Sequence, residues 1–141
     1  SKTHPNMSKL TMAEIEEELK SSVNAIESVT GKKVTLFRPP FGDYDDKVIT
    51  VAENLGRYTI QWNVDSLDWK NLSAEQIAAR VIKKAGSGSI ILMHNNGLHT
   101  AESLPLIFTA TQQKGLVYRP ISELIYTDDF RITPDGTQIK N

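Results

Sequence analysis

The chain has 141 residues, 39% of them hydrophobic, enough to build a sizeable core in one domain and too apolar for a disordered segment. Its 16 basic and 17 acidic residues leave a net charge of -1 with neither sign in a long run, which argues against nucleic acid or an anionic membrane as partner. Cysteine is absent, so disulfides and thiolate metal sites are excluded, and no apolar run approaches the ~18 residues of a membrane span.

Between Thr11 and Val29 the apolar residues Met12, Ile15, Leu19, Val23 and Ile26 recur at helical spacing, with glutamates and Lys20 between them, which predicts an amphipathic helix. Thr11 and Glu14 make a capping box at its start, and Gly31 supplies a left-handed stop. VTLF (34–37) is a short β-rich stretch ended by Pro39-Pro40. Val48, Val51, Ala52 and Leu55 mark a second helix closed by Gly56, and YTIQWNV (58–64) reads as a second strand. Ser73 with Gln76 caps a third helix carrying Ile77, Val81 and Ile82, glycines 86 and 88 punctuate its end, and SIILM (89–93) is an apolar third strand.

A fourth helix carries Leu104, Ile107 and Phe108, with Pro105 in its first turn and Gly115 as its stop, and LVYR (116–119) makes a fourth strand. A short helix near 121–126 follows. Residues 127–141 read as a polar tail with a hairpin turn at Asp135-Gly136, so the chain divides into 1–126 and 127–141. Helices alternating with apolar strands imply parallel strands and right-handed crossovers, in an open doubly wound sheet or part of a barrel. A closed β/α barrel takes roughly 200 to 250 residues, whereas this chain supplies about four strands.

Reactive groups in parallel α/β folds sit beyond the carboxyl ends of strands. The stretches at those positions are FRPPFGDYD, VDSLDWKN and LMHNNG, and SKTHPN precedes the first helix. Each holds a residue able to bind a metal, move a proton or orient a charge. Taken singly, each has a plainer account. His4 is then a surface residue, Arg38 an ion-pair donor, Asp65 and Asp68 turn or N-cap residues, and His94 a satisfied core histidine. His99, in a loop before a helix, is given no role.

Together the motifs resemble the polysaccharide deacetylase family, the carbohydrate esterases that share the NodB homology domain. Three of that family's five ordered motifs are complete, as Arg38-Pro39-Pro40-Phe41, Asp65-Ser66-Leu67-Asp68-Trp69 and Leu92-Met93-His94. Ser1-Lys2-Thr3-His4 matches the last four positions of a fourth, His-Ser/Thr-x-x-His. The resemblance implies a distorted parallel (β/α) barrel, of which about four βα units at the carboxyl-terminal side lie in this chain. The first metal histidine and the Thr-Phe-Asp-Asp stretch are expected upstream, since Ser1 is not an initiator Met. That upstream segment is also the expected partner of the open apolar edge.

The resemblance also implies a mechanism. A divalent metal, zinc by preference with cobalt, nickel or manganese as alternatives, is held by His4, a second His and an Asp, and it activates water and polarises the acetamide. Arg38 pairs with the upstream base, and His94 protonates the departing amine with a carboxylate beside it, Asp68 first and Asp65 second. Pro40, Phe41, Trp69 and Leu92 are the expected substrate contacts, with a backbone amide near Phe41 at the oxyanion and Trp69 with Leu92 around the acetyl methyl. The implied substrate is a bacterial cell-wall amino-sugar polymer, acted on outside the cell. Acetylated xylan, a catalytically degenerate carbohydrate binder, and a glycosidase using Asp65 and Asp68 as paired carboxylates are the alternatives.

Overall fold

The computed structural model describes residues 1–141, which separate into two units, Ser1–Gln61 and Trp62–Asn141. The architecture is mixed α/β with parallel strand pairs, as the alternation of helical and apolar stretches predicts.

In the first unit, α1 (Met12–Thr30) starts at a complete capping box between Thr11 and Glu14 and stops at Gly31, whose φ of 65° lies in the left-handed region. It buries Ile15 and Leu19, while Met12 and Ile26 stay about half exposed and Val29 lies open. β1 (Leu36–Phe37) pairs in parallel with β2 (Tyr58–Thr59), and α2 (Asp46–Asn54) connects them behind an Asp45 N-cap that accepts the Val48 N–H at 3.1 Å. The core joins Met7, Ile15, Leu19, Phe37, Val48, Val51 and Ala52.

In the second unit, β3 (Val64–Asp65) pairs in parallel with β4 (Ile91–Leu92), setting Asp65 opposite Leu92. Between them α3 (Ala74–Lys84) opens on the Ser73–Gln76 capping box and packs against α4 (Thr100–Gln113). Val64, Ile77, Ala78, Val81, Ala85 and Ile107 form the core. Because Ile77 is fully buried, Ile77→Ala is expected to lower unfolding free energy by about 2 to 5 kcal/mol through lost transfer and a residual cavity. Urea titration of the variant checks this, and an unchanged midpoint would contradict the packing.

Three details differ from the sequence reading. Residues 58–64 do not form one strand. β2 ends at Thr59, and the Asn63 side chain takes the Ile90 N–H at 2.9 Å while Asn63 and Val64 both donate to the Ile90 carbonyl, so the pairing to β4 starts anew. Pro105 lies inside α4 and not in its first turn, which leaves the Ala101 carbonyl without its usual N–H partner. Residues 116–119 form no strand: the Leu116 N–H donates to the Thr111 carbonyl at 3.1 Å, and Tyr118 packs edge to face on Phe108 with its hydroxyl 2.9 Å from Thr111 Oγ1. After α5 (Ile121–Leu124), β5 (Phe130–Ile132) and β6 (Gln138–Lys140) make an antiparallel hairpin that turns at Gly136, with φ 85°. No helix is long and apolar enough to cross a membrane.

Candidate active site

In the first unit the opening loop is tied down on both sides of His4. Thr3 donates its N–H and its hydroxyl to the Glu18 carboxylate on α1, at 2.8 and 2.6 Å. Ser8 donates its N–H at 2.9 Å and its hydroxyl at 2.8 Å to Asp43, which lies beyond the Pro39-Pro40-Phe41-Gly42 turn. His4 itself adopts φ 59° and Phe41 φ 58°, a left-handed backbone that costs a residue with a Cβ and persists only where neighbours impose it. Their rings meet edge to face, with centroids 4.7 Å apart, and both side chains are exposed.

Arg38 follows β1 directly and is half-buried, and burial lowers its guanidinium from its ordinary value. Pro39 and Pro40 are buried, so the turn presents Phe41 to solvent on a rigid base.

In the second unit Asp68 is the centre of a hydrogen-bonded cluster. Leu67, at φ 54°, turns the chain after β3 so that the Asp68 side chain points inward and is fully buried. Its Oδ1 meets His94 Nδ1 at 2.7 Å, and its Oδ2 accepts the His94 N–H and the Thr100 hydroxyl, each at 2.7 Å. The Asp68 N–H donates to Ser66 Oγ at 3.3 Å. Burial by itself raises the Asp68 pKa. The bonds from the His94 N–H, the Thr100 hydroxyl, the His94 ring and Ser66 outweigh it, so the carboxyl titrates below its ordinary value.

An ionised carboxylate can only accept, so Nδ1 of His94 carries a proton and donates it to Asp68. Nε2 is left as the ring's other working face, on a side chain 36% exposed. Asp65 is spent differently: its Oδ1 accepts the Leu67 N–H at 3.0 Å and shapes the turn. Asp65 and Asp68 therefore do not flank an open cleft as paired glycosidase carboxylates would, because one of them never reaches solvent. Trp69 is half exposed with Lys70 Nζ 5.1 Å from its ring, and Leu92 is half-buried on β4. His99, given no role, pairs its Nδ1 with Glu102 at 2.8 Å.

The reading from sequence missed Thr100 and Gly97. The signal for Thr100 was its place at the start of a helix six residues after His94, where a hydroxyl can reach back into the preceding loop. No three His, Asp or Glu side chains gather into a metal-binding cluster. His4 offers one exposed imidazole, so the residues of this chain fit a single donor of a metal set and not a whole one.

A buried carboxylate oriented on a half-exposed imidazole just beyond a parallel strand is an arrangement able to hold and deliver a proton. The model of the polysaccharide deacetylase family matches residues 1–60. A family 4 carbohydrate esterase pseudoenzyme from Bacillus anthracis is 37% identical with a TM-score of 0.83, covering 86% of this chain and 43% of that one. A variant of the same protein with restored enzymatic activity superposes equally well, at TM-score 0.83. The family 4 carbohydrate esterase of Streptomyces lividans, in complex with acetate, is 30% identical with a TM-score of 0.79 over 98% of this chain and 66% of that one. The peptidoglycan-N-acetylglucosamine deacetylase PgdA of Listeria monocytogenes is 34% identical over 86% of this chain and 25% of its own length. The chain belongs to the polysaccharide deacetylase family, carbohydrate esterase family 4. It spans between 17% and 51% of the length of the curated relatives it matches.

Proposed function

We propose that the protein removes N-acetyl groups from a bacterial cell-wall polysaccharide of the peptidoglycan or chitin type, outside the cell membrane, with His94 as the general acid. The observation that carries this reading is the Asp68–His94 pair. An amine cannot leave a tetrahedral intermediate as an anion, so a proton must be delivered to it. A ring whose Nδ1 is committed to a buried carboxylate presents Nε2 in one orientation, and Asp68 stabilises the imidazolium that forms. Asp65 supports this by fixing the turn that aims Asp68 inward.

Family members are generally metal-dependent. When bound, a divalent ion supplies an activated water and a polarised carbonyl, and His4 is proposed as one of its ligands, zinc being the ion preferred by such donors and cobalt, nickel or manganese the alternatives. Arg38 is proposed to orient a base aspartate contributed by the rest of the protein, and its planar fork suits a carboxylate better than a lysine would. Pro40, Phe41, Trp69 and Leu92 are the proposed substrate contacts, with Trp69 and Leu92 enclosing the acetyl methyl group. The name of the Listeria relative supports peptidoglycan as the polymer.

A second reading, a carbohydrate-binding protein without turnover, is favoured by one observation: the similar Bacillus anthracis protein is a pseudoenzyme. The test is acetate release by the full-length, metal-loaded protein from N-acetylglucosamine oligomers, peptidoglycan and acetylated xylan. Release from the first two supports the proposal, and release from xylan alone reassigns the substrate. No release from any of them, with saturable oligosaccharide binding in calorimetry, establishes the second reading.

A further inference from the structure

The Asp68 carboxylate does more than face a histidine. One of its oxygens, Oδ2, holds both ends of the loop that runs from His94 to Thr100, through the His94 N–H and the Thr100 hydroxyl. The other oxygen, Oδ1, is thereby aimed at the His94 ring. A carboxylate can rotate about its Cβ–Cγ bond, and the two 2.7 Å bonds at Oδ2 are what stop it. The His94 N–H belongs to the residue being positioned. Thr100 is also the first residue of α4, whose following turn is buried through Ser103 and Ile107, so its hydroxyl is the tie anchored in the helix.

Gly97 makes room for that tie. A Cβ built at this position falls 2.1 Å from Thr100 Oγ1 and 3.2 Å from both the Asp68 carbonyl and Oδ2. The obstacle is space and not backbone angle, and no side chain, not even a methyl, fits without pushing the hydroxyl away. Asp68 is fully buried, so no bulk water stands ready to replace a lost donor.

We infer that Thr100 is a positioning residue for His94, its hydroxyl fixing the Asp68 carboxylate in the rotation that orients the ring, and that Gly97 is required because only its missing side chain lets that bond form. The inference rests on the acid role proposed for His94. Hydrogen bonds to the ionised form help hold Asp68 below its ordinary pKa, so removing one raises it.

The experiment compares Thr100→Val, Thr100→Ser and Gly97→Ala with wild type in the full-length, metal-loaded protein, by acetate release across pH. Thr100→Val keeps the shape and removes the donor, and it is expected to lower kcat about tenfold with KM nearly unchanged and to move the acid limb up by about one pH unit, the worth of one charge-assisted bond. Thr100→Ser should recover most of the rate, Gly97→Ala should reproduce the Val defect, and the double variant should be no worse than either single one. A Thr100→Val protein with wild-type kcat and pH profile overturns the inference. So does one whose melting point falls while activity per folded molecule is kept. If the wild-type protein releases no acetate, the acid reading fails and nitrogen-15 NMR of the His94 ring decides the positioning alone. The proton on Nδ1 should be seen in wild type and Thr100→Ser and lost in Thr100→Val, and its persistence in Thr100→Val would overturn the inference.

Discussion

His94→Ala is expected to cut acetate release from an N-acetylglucosamine oligomer by about a hundredfold or more, the usual worth of a positioned general acid. The loss should appear in kcat, because the proton is needed when the amine departs and not when the polymer binds. Metal content of the full-length protein should be unchanged, since His4 and not His94 is the proposed ligand. A variant that keeps near-normal turnover would return His94 to the status of a half-buried histidine bonded to a carboxylate.

Asp68→Asn should act on both rate and stability. An amide in place of the carboxylate either sets its NH2 against both the His94 N–H and the Thr100 hydroxyl or, flipped, keeps its oxygen there and turns its NH2 on the protonated Nδ1 of the His94 ring, so donor meets donor in a site closed to water. The expected destabilisation is about 1 to 3 kcal/mol. Its pH dependence follows from the lowered carboxyl pKa. A group whose folded pKa is depressed contributes stability above its unfolded value, about 3.9 for Asp, and loses it as pH falls through the folded value. The gap between wild type and Asp68→Asn should therefore be full above about pH 5 and shrink at lower pH as wild-type Asp68 takes up its proton. Urea unfolding of both proteins from pH 7 down to pH 3 tests this, and a gap independent of pH would mean that the charge on Asp68 contributes nothing.

The His94→Ala and Asp68→Asn double variant should lose much less than the product of the single losses. Losses that simply multiply would show that the two residues do not act as one unit.

Much of the local structure could be read from the chain itself, because its causes lie within a few residues of each other. The Thr11–Glu14 and Ser73–Gln76 capping boxes form as their spacing predicts, and the helix stop at Gly31 follows from a left-handed conformation that glycine adopts without strain. Strand limits were less legible. Whether residues 58–64 make one strand or two depends on which segments pair with them, and the Asn63 side chain that restarts the pairing bonds to Ile90, 27 residues away. Val117 and its neighbours have strand composition but no partner strand, and the Tyr118 side chain holds them on α4 instead.

The ordered motifs from His4 to His94 were enough to recognise the family and to nominate the proposed metal ligand, acid–base and substrate-contact residues, since each motif is a short run whose chemistry does not depend on distant contacts. The choice between Asp65 and Asp68 was another matter. Asp65 ends β3 and Asp68 lies three residues further on, and only the left-handed turn at Leu67 sends the second side chain inward to His94 while the first caps the turn. Thr100 and Gly97 belong to no motif and gain their meaning from a carboxylate about 30 residues earlier in the chain. Composition, caps and motifs are local and survive in a string of letters, whereas the orientation of a buried carboxylate is fixed by donors from separate elements, and only tertiary packing brings those donors to one oxygen.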